Sequence, residues 1–370
     1  MAGKAFIKLG QSGIGTQTTT ERDAGIGTAV GTMTFNVTTG ALEVYTTNNA
    51  WDAVSSSFDT TGGVKDTTSR SGYNIHTFTS DGNFTWSGGP ISDCEYVCIG
   101  GGGAGGDYAG PYPGYNSGAG GGGAGGMRSG TFPLPASGTN IPITVGSGGA
   151  SSVSQSGSYI PQPSASKAQS GSPSVIPSDL VSGSINSYGG GCGSTGNAGP
   201  GPQTPYTRAG QNGGSGGGGA RDVHQTAGEG NKVTETTTPA PTQGNDGGGY
   251  DSPDGHGGGG GGAGGAGSGA GSHGHGGNGS STSITGSSKT HAGGGGGGRG
   301  ANPSTPGEGK AGGGDGGSDA NEGSNASISS SAGYGSGGGG AGRGGNDPIT
   351  SRKGGNANDG IVIIAVPSPS

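Results

Sequence analysis

Apolar and polar residues alternate cleanly in only a few stretches of this chain, and each of those stretches reads as a β-strand. Met33, Phe35 and Val37 alternate with polar neighbours, Thr38-Thr39-Gly40 supplies a turn, and Ala41–Tyr45 returns before Trp51–Val54. The pattern predicts a hairpin and one further strand. A unit of that size is marginal alone in water, so it needs a partner chain or sheet. Upstream, Ala5–Leu9 is a short strand candidate and Ser12–Thr28 reads as loop.

Ser55–Arg70 is rich in Ser, Thr, Asp and Gly without periodicity, the mark of a linker. A second β region opens with Tyr73–Trp86, where Asp81-Gly82 is a hairpin signal. A two-residue loop would throw Phe78 and Phe84 to opposite faces. A three-residue loop puts Phe78, Phe84 and Trp86 together and gives the hairpin a core face, so it is the expected one. Asp93–Ile99 reads as a strand with Cys94, Tyr96 and Cys98 on one side and Val97 and Ile99 on the other, running straight into Gly100–Gly103. Further candidates are Thr131–Leu134, Ile141–Val145 and Val175–Val181. The last is Ile361–Val366, an unbroken apolar run between Gly360 and Pro367, as expected of a strand buried on both faces.

Between these strands lies the glycine. It occupies 101 of 370 positions, in runs such as Gly257–Gly262 and Gly293–Gly298, separated at irregular intervals by Ser/Thr/Asn/Pro segments. An isolated polyglycine run loses the most backbone entropy on ordering and has no side chain to bury in return. Two outcomes remain: a flexible linker, or extended three-fold helices packed side by side with N–H and C=O groups bonded between neighbours. A collagen triple helix is excluded by the missing Gly-X-Y period. Because strands bracket the glycine, it reads as an insertion within one sandwich. The predicted fold is therefore mainly β with almost no α-helix: a small N-terminal β-hairpin module (1–54), a linker (55–71), and a glycine-rich domain (72–370). In that domain, strands in 73–182 and 361–366 bracket a polyglycine type II helix bundle in 183–360.

Composition narrows the function. Hydrophobic residues are 25%, aromatics 5% and charged residues 11%, too apolar-poor for a large ordinary core. Sixteen Lys and Arg stand against 23 Asp and Glu, a formal charge of -7 with no basic block, so nucleic acid binding has no electrostatic footprint. Met1–Gly10 lacks the apolar region and cleavage site of a signal peptide, and no apolar run reaches membrane-spanning length. Synthesis in a cytoplasm is expected. Cys94, Cys98 and Cys192 read as buried thiols.

Motifs for chemistry are sparse. Gly309-Lys310 is followed by Ala311 where a phosphate loop needs Ser or Thr. His273-Gly274-His275, with His256 nearby, has the ligands for a transition metal, above all if three chains met on an axis; polar residues on a surface glycine loop is the plainer account. Asp246, Asp251, Asp254 and Asp315 lack the spacing of a calcium loop. No serine elbow, zinc-protease helix or paired carboxylates stand out, so no enzyme and no cofactor are expected. The tyrosines are more suggestive, because Tyr gives stiff amphipathic contact area and is enriched in recognition loops rich in Ser, Gly and Asn. Tyr108, Tyr112, Tyr115, Tyr206, Tyr250 and Tyr334 are the candidates, with Gly110–Tyr115 the sharpest cluster. The alternative is that these rings cap the ends of glycine helices.

Three stretches match a known pattern. Gly31–Tyr45 followed by Ala50-Trp51 looks like the hairpin module of tailed-phage fibres. Tyr73–Gly106, with His76–Phe84 and Glu95–Gly103, resembles the start of the glycine-rich domains frequent in phage proteins, and Ile143–Gly149 and Gly360–Ile364 fit later parts of the same family. The resemblance implies a virion surface protein, a tail fibre or adhesin. Its N-terminal module would attach to other virion proteins, and its glycine-rich domain would meet a host polysaccharide or outer-membrane protein. A homotrimer is expected to supply the cover that the N-terminal unit lacks. A capsid head-fibre or decoration protein, and a cell-made glycine-rich surface protein, are the alternatives.

Overall fold

The computed structural model describes residues 16–25, 29–38, 41–53, 59–87, 90–108, 117–135, 140–151, 168–177, 184–196, 209–220, 226–250, 255–300, 305–318, 321–329, 333–343 and 352–368. Among the described residues 28% are strand and 3% helix. The chain divides into two units, Met1–Asp59 with Ser87–Gly89, and Thr60–Trp86 with Pro90–Ser370. The strand candidate Ala5–Leu9 lies outside the described residues.

The first unit is a four-stranded sheet of β1 (Thr16–Gln17), β2 (Met33–Asn36), β3 (Ala41–Tyr45) and β4 (Trp51–Ala53), side by side in that order. Helix α1 (Thr19–Gly25) falls where a loop was expected. It opens on a reciprocal box: Glu21 N–H donates to Thr18 Oγ1 (3.2 Å) and Thr18 N–H to Glu21 Oε2 (2.8 Å), which satisfies two otherwise orphaned donors. The bonds hold the Glu21 carboxyl below the usual carboxylate range. The sheet is inverted in polarity. Thr34, Asn36 and Glu43 are buried, while Met33, Phe35 and Val37 are 47%, 37% and 51% exposed. The buried Glu43 carboxylate is compensated by Arg22 Nη1 at 2.5 Å and by the Asn36 amide, and Arg22 also lies 5.6 Å from the Trp51 ring centroid.

In the second unit the stretch read as linker yields two strands, β5 (Asp59–Thr61) and β6 (Val64–Asp66). There follow β7 (Tyr73–Phe78), β8 (Gly82–Ser87), β9 (Ile91–Ile99), β10 (Met127–Leu134), β11 (Ile141–Ile143), β12 (Ser174–Ile176), β13 (Ile185–Ser187), β14 (Ser280–Thr282), β15 (Lys289–His291) and β16 (Ile361–Pro367). One sheet has the order β10-β9-β16-β7-β6, and a second β11-β8-β5. The apolar run of β16 is the centre of the first sheet, antiparallel to both β9 and β7, and Ile361–Val366 are at most 3% exposed. Its odd residues join Ile75, Val97, Ile99, Ile284 and Ala292 in one cluster. The even residues Val362 and Ile364 share the other face with Phe78, His76, Cys98 and Tyr96.

The expected hairpin at Asp81-Gly82 does not form. β7 and β8 belong to different sheets, so this turn is an arch between them. Asp81 Oδ1 accepts the Val145 N–H (2.8 Å) and Gly82 pairs with Ile143, which commits the turn to β11. The aromatic grouping survives by this other route. Phe78, Phe84 and Trp86 are all buried, with the Phe84 and Trp86 rings stacked at 5.9 Å. Between the sheets His76 faces Gly62 O through Nδ1 (2.7 Å) and Thr60 Oγ1 through Nε2 (2.7 Å). A carbonyl only accepts, so Nδ1 carries a proton.

The strands run on into the glycine segments, and there the ladder of a sheet gives way to a three-fold pattern. In 117–126, the N–H groups of Gly120, Gly123 and Gly126 donate to Ser194, Gly191 and Tyr188; those of Gly118, Gly121 and Ala124 to Gly255, Gly258 and Gly261; those of Ala119, Gly122 and Gly125 to Ala341, Gly338 and Gly335. Every third residue meets the same neighbour, so the segment is an extended helix of three residues per turn. Its carbonyls accept from three further segments: from Gly100, Gly103 and Gly106, from Gly295 and Gly298, and from Ser215 and Gly218. Six neighbours surround one backbone. A Cβ on Gly122 would lie 1.9 Å from Gly103 O, and one on Gly121 2.1 Å from Gly295 O. Glycine is therefore required by the closeness of the neighbours, and the Cα–H groups in those directions point at carbonyls as weak donors. Ala is admitted where its Cβ can pack on other small side chains, as in the buried cluster of Ala104, Ala168 and Cys192.

Candidate functional site

The glycine segments have two distinct ends. Segment 100–108 continues β9 outward and 117–126 returns to β10; 188–196 continues β13 and 352–360 returns to β16. At the end remote from the sheets Tyr108 exchanges backbone bonds with Arg352, and Gly196 N–H donates to Asp107 O. Gly118 N–H donates to Gly255 O, Arg343 N–H to Arg299 O, and Arg299 N–H to Gly317 O. The described residues bounding 109–116, 152–167, 197–208, 221–225, 251–254, 301–304, 319–320 and 344–351 thus all stand at this one end.

Asp107 ties that end together. Its Oδ1 accepts the Gly354 N–H (2.9 Å) and the Ser151 hydroxyl (2.7 Å). Beside it is a polar pocket of about 250 Å³ lined by Ser151, Glu322, Gly323, Asn325, Lys353, Gly354 and Asn356. Asn356 Oδ1 accepts the Ser151 N–H (2.8 Å), and Asn325 Oδ1 accepts the Asn356 N–H (2.8 Å). Ser151 meets Asn356 from 205 residues away and Asn325 meets it from 31, so no motif spacing announces the pocket.

The tyrosines separate. Tyr108 is 4% exposed and packs on Ala119 and Ala341. Tyr334 is at the opposite end of the bundle, against the Ile75–Ile363 cluster and 5.9 Å from the His291 ring. Tyr250 is half-buried beside 251–254. Tyr112, Tyr115 and Tyr206 lie outside the described residues. The histidines do converge: the His273 ring is 6.0 Å from that of His256 and 5.9 Å from that of His275, and His275 Nδ1 accepts the Glu308 N–H (3.0 Å). Among the described residues, no three His, Cys, Asp or Glu side chains are arranged to hold a metal ion. Asp246 and Asp315 each accept a backbone N–H, from Gly230 and Gly309, which is a structural use of a loop carboxylate; Asp251 and Asp254 lie outside the described residues.

Other titratable groups are buried for packing. All three cysteines are free and buried, and desolvation pushes the Cys94 and Cys192 thiols up to about 12 and that of Cys98 to about 11, which keeps them protonated and unreactive. Burial pulls His291 down to about 4, with Lys289 adding to the effect.

A β-sandwich whose strands extend into a three-fold glycine bundle, with its connections gathered at one end, defines a glycine-rich β protein rather than a linker. The chain belongs to the glycine-rich domain family, whose model matches residues 77–367, from within β7 to the end of β16. No curated protein matches it. The matched span begins within β7, so β1–β6 lie outside it.

Proposed function

We propose that this chain is a non-enzymatic virion surface protein, a tail fibre or adhesin, in which the first unit docks on other virion proteins and the glycine bundle presents the end remote from its sheets to the host surface. The observation that carries the reading is that the described residues bounding eight connecting intervals all stand at that end, since connections held on a rigid scaffold are the usual architecture of recognition. The inverted first sheet supports the docking half. Met33 and Phe35 of β2, with Val37 beyond it, leave apolar side chains exposed that a partner sheet, or the other chains of a trimer, would cover. The ligand in this reading is a cell-surface polysaccharide or outer-membrane protein, met by several copies at once so that weak single contacts suffice.

Immunogold microscopy of purified virus particles with antibody to residues 72–370 tests this. Label at tail or fibre tips is the expected result. Label over the head would replace it by capsid decoration, and absence of label from every particle would overturn the virion assignment.

A further inference from the structure

The polar pocket beside Asp107 has a donor set that matches one class of ligand. Both of its asparagines are oriented: each Oδ1 is occupied by a backbone N–H, so each NH₂ group is turned outward as a fixed donor pair. Neither NH₂ has a protein partner among the described residues. Lys353 adds an exposed ammonium and Glu322 an exposed carboxylate, neither of them in an ion pair among the described residues, so the lining offers donors and acceptors together with no net charge. The described lining residues carry no aromatic ring and no large apolar side chain, so what they offer a ligand is polar contact. The volume of about 250 Å³ lies below the range of drug-sized sites and suits a single small ring. Its position also matters. Ser151 and Gly354 bond to Asp107, so the pocket lies at the end of the bundle remote from the sheets.

We propose that this pocket is a monosaccharide subsite, taking one uncharged pyranose residue of a surface glycan through its vicinal hydroxyls. The Asn325 and Asn356 NH₂ groups donate to hydroxyl oxygens, the Glu322 carboxylate accepts from a hydroxyl, and Lys353 donates to a further one. Such planar and charged groups satisfy the two-way hydrogen bonding of a sugar hydroxyl, and fixing the amides in advance lowers the ordering cost of binding. With no ring to stack on among the described lining residues, a single site binds weakly, with Kd on the order of 1 mM. The inference deepens the adhesion reading and rests on it for the source of the glycan, although the pocket's chemistry is tested independently of any virion.

The test is saturation-transfer difference NMR on the full chain with a panel of methyl pyranosides of gluco, galacto, manno and N-acetylglucosamine type. Transfer to at least one of them is expected, and it should fall at least fivefold in Asn325→Asp/Asn356→Asp, which keeps both Oδ1 acceptors and removes both NH₂ donors. Lys353→Met, at an exposed side chain that holds nothing in the fold, should weaken transfer with an unchanged melting temperature; it decides the matter if the double variant unfolds. No transfer to any pyranoside, or transfer that both variants leave intact, overturns the subsite. Loss of particle adsorption is a separate readout: adsorption that persists when the pocket fails leaves the adhesion reading standing, and a pocket that binds sugar on a chain absent from virions overturns the adhesion reading alone.

Discussion

The sandwich and the bundle are joined strand to segment, yet they are held by opposite means. In the sandwich, Phe78, Phe84, Ile364 and Leu134 fill the space between backbones, and burial of side chains drives the packing. In the bundle the side chains are gone, backbones touch, and each N–H finds a carbonyl on a neighbour in a three-fold sequence. The first region tolerates a volume change by relaxing around it. The second has rigid backbone on every side of Gly122, so an added atom has nowhere to go.

The contrast predicts a reversal of the usual ranking of substitutions. Gly122→Val, whose Cβ would lie 1.9 Å from a backbone oxygen, should cost more than about 4 kcal/mol or abolish folding, as read by denaturant unfolding of the whole chain. A cost under about 1 kcal/mol would mean that the segments are not packed. Phe84→Ala, at a fully buried ring, should cost about 3–5 kcal/mol by the same measurement. A larger loss there than at Gly122 would make the sandwich the more exacting region.

A smaller effect sharpens the join between the regions, where His291 of β15 lies under Tyr334. Its pKa is depressed from about 6.5 to about 4 on folding, so the unfolded chain takes the proton first as pH falls. The stability it contributes is complete above about pH 6.5 and is lost between there and pH 4, by about 3 kcal/mol in all. His291→Gln should flatten that part of the pH–stability curve; an unchanged slope would place the titrating group elsewhere.

The two regions also differ in how much of them the sequence discloses. Strands β9 and β16 are legible because apolar periodicity reports which face is buried, and the double-faced run Ile361–Val366 stands out even beside 101 glycines. The bundle's existence follows from glycine bracketed by strands, but its register does not. A neighbour is chosen by phase in a three-residue turn, and Gly293–Gly298 carries no residue that marks phase. Hairpin β14–β15 is hidden for a related reason: Ile284 is the one aliphatic side chain between Ser280 and His291. The arch at Asp81 departs from the expected hairpin because Asp-Gly signals a hairpin only when the two flanking strands pair, and here Asp81 serves Val145. The pocket is least legible of all, being assembled across the bundle from residues whose side chains have no periodic neighbours.

Helix α1 marks the opposite case, a local signal that was there to be used. Thr18-Thr19-Thr20-Glu21 is a capping box, overlooked because no apolar stripe follows it; the helix covers the polar face of its sheet. Thr18→Ala should weaken the helix by about 1 kcal/mol, seen as faster amide exchange over residues 19–25, with no change in the second unit. It is the smallest effect and the one most confined to its own unit.

Native-state hydrogen exchange of the amides in 117–126, set against those of Ile361–Val366, tests most directly whether the glycine region is a packed core. Protection in the two segments should be of the same order, because each N–H of 118–126 is bonded to a neighbouring backbone deep inside the bundle. Exchange in 117–126 at the rate of a free glycine chain, with β16 still protected, would contradict the account and return the glycine to the status of linker.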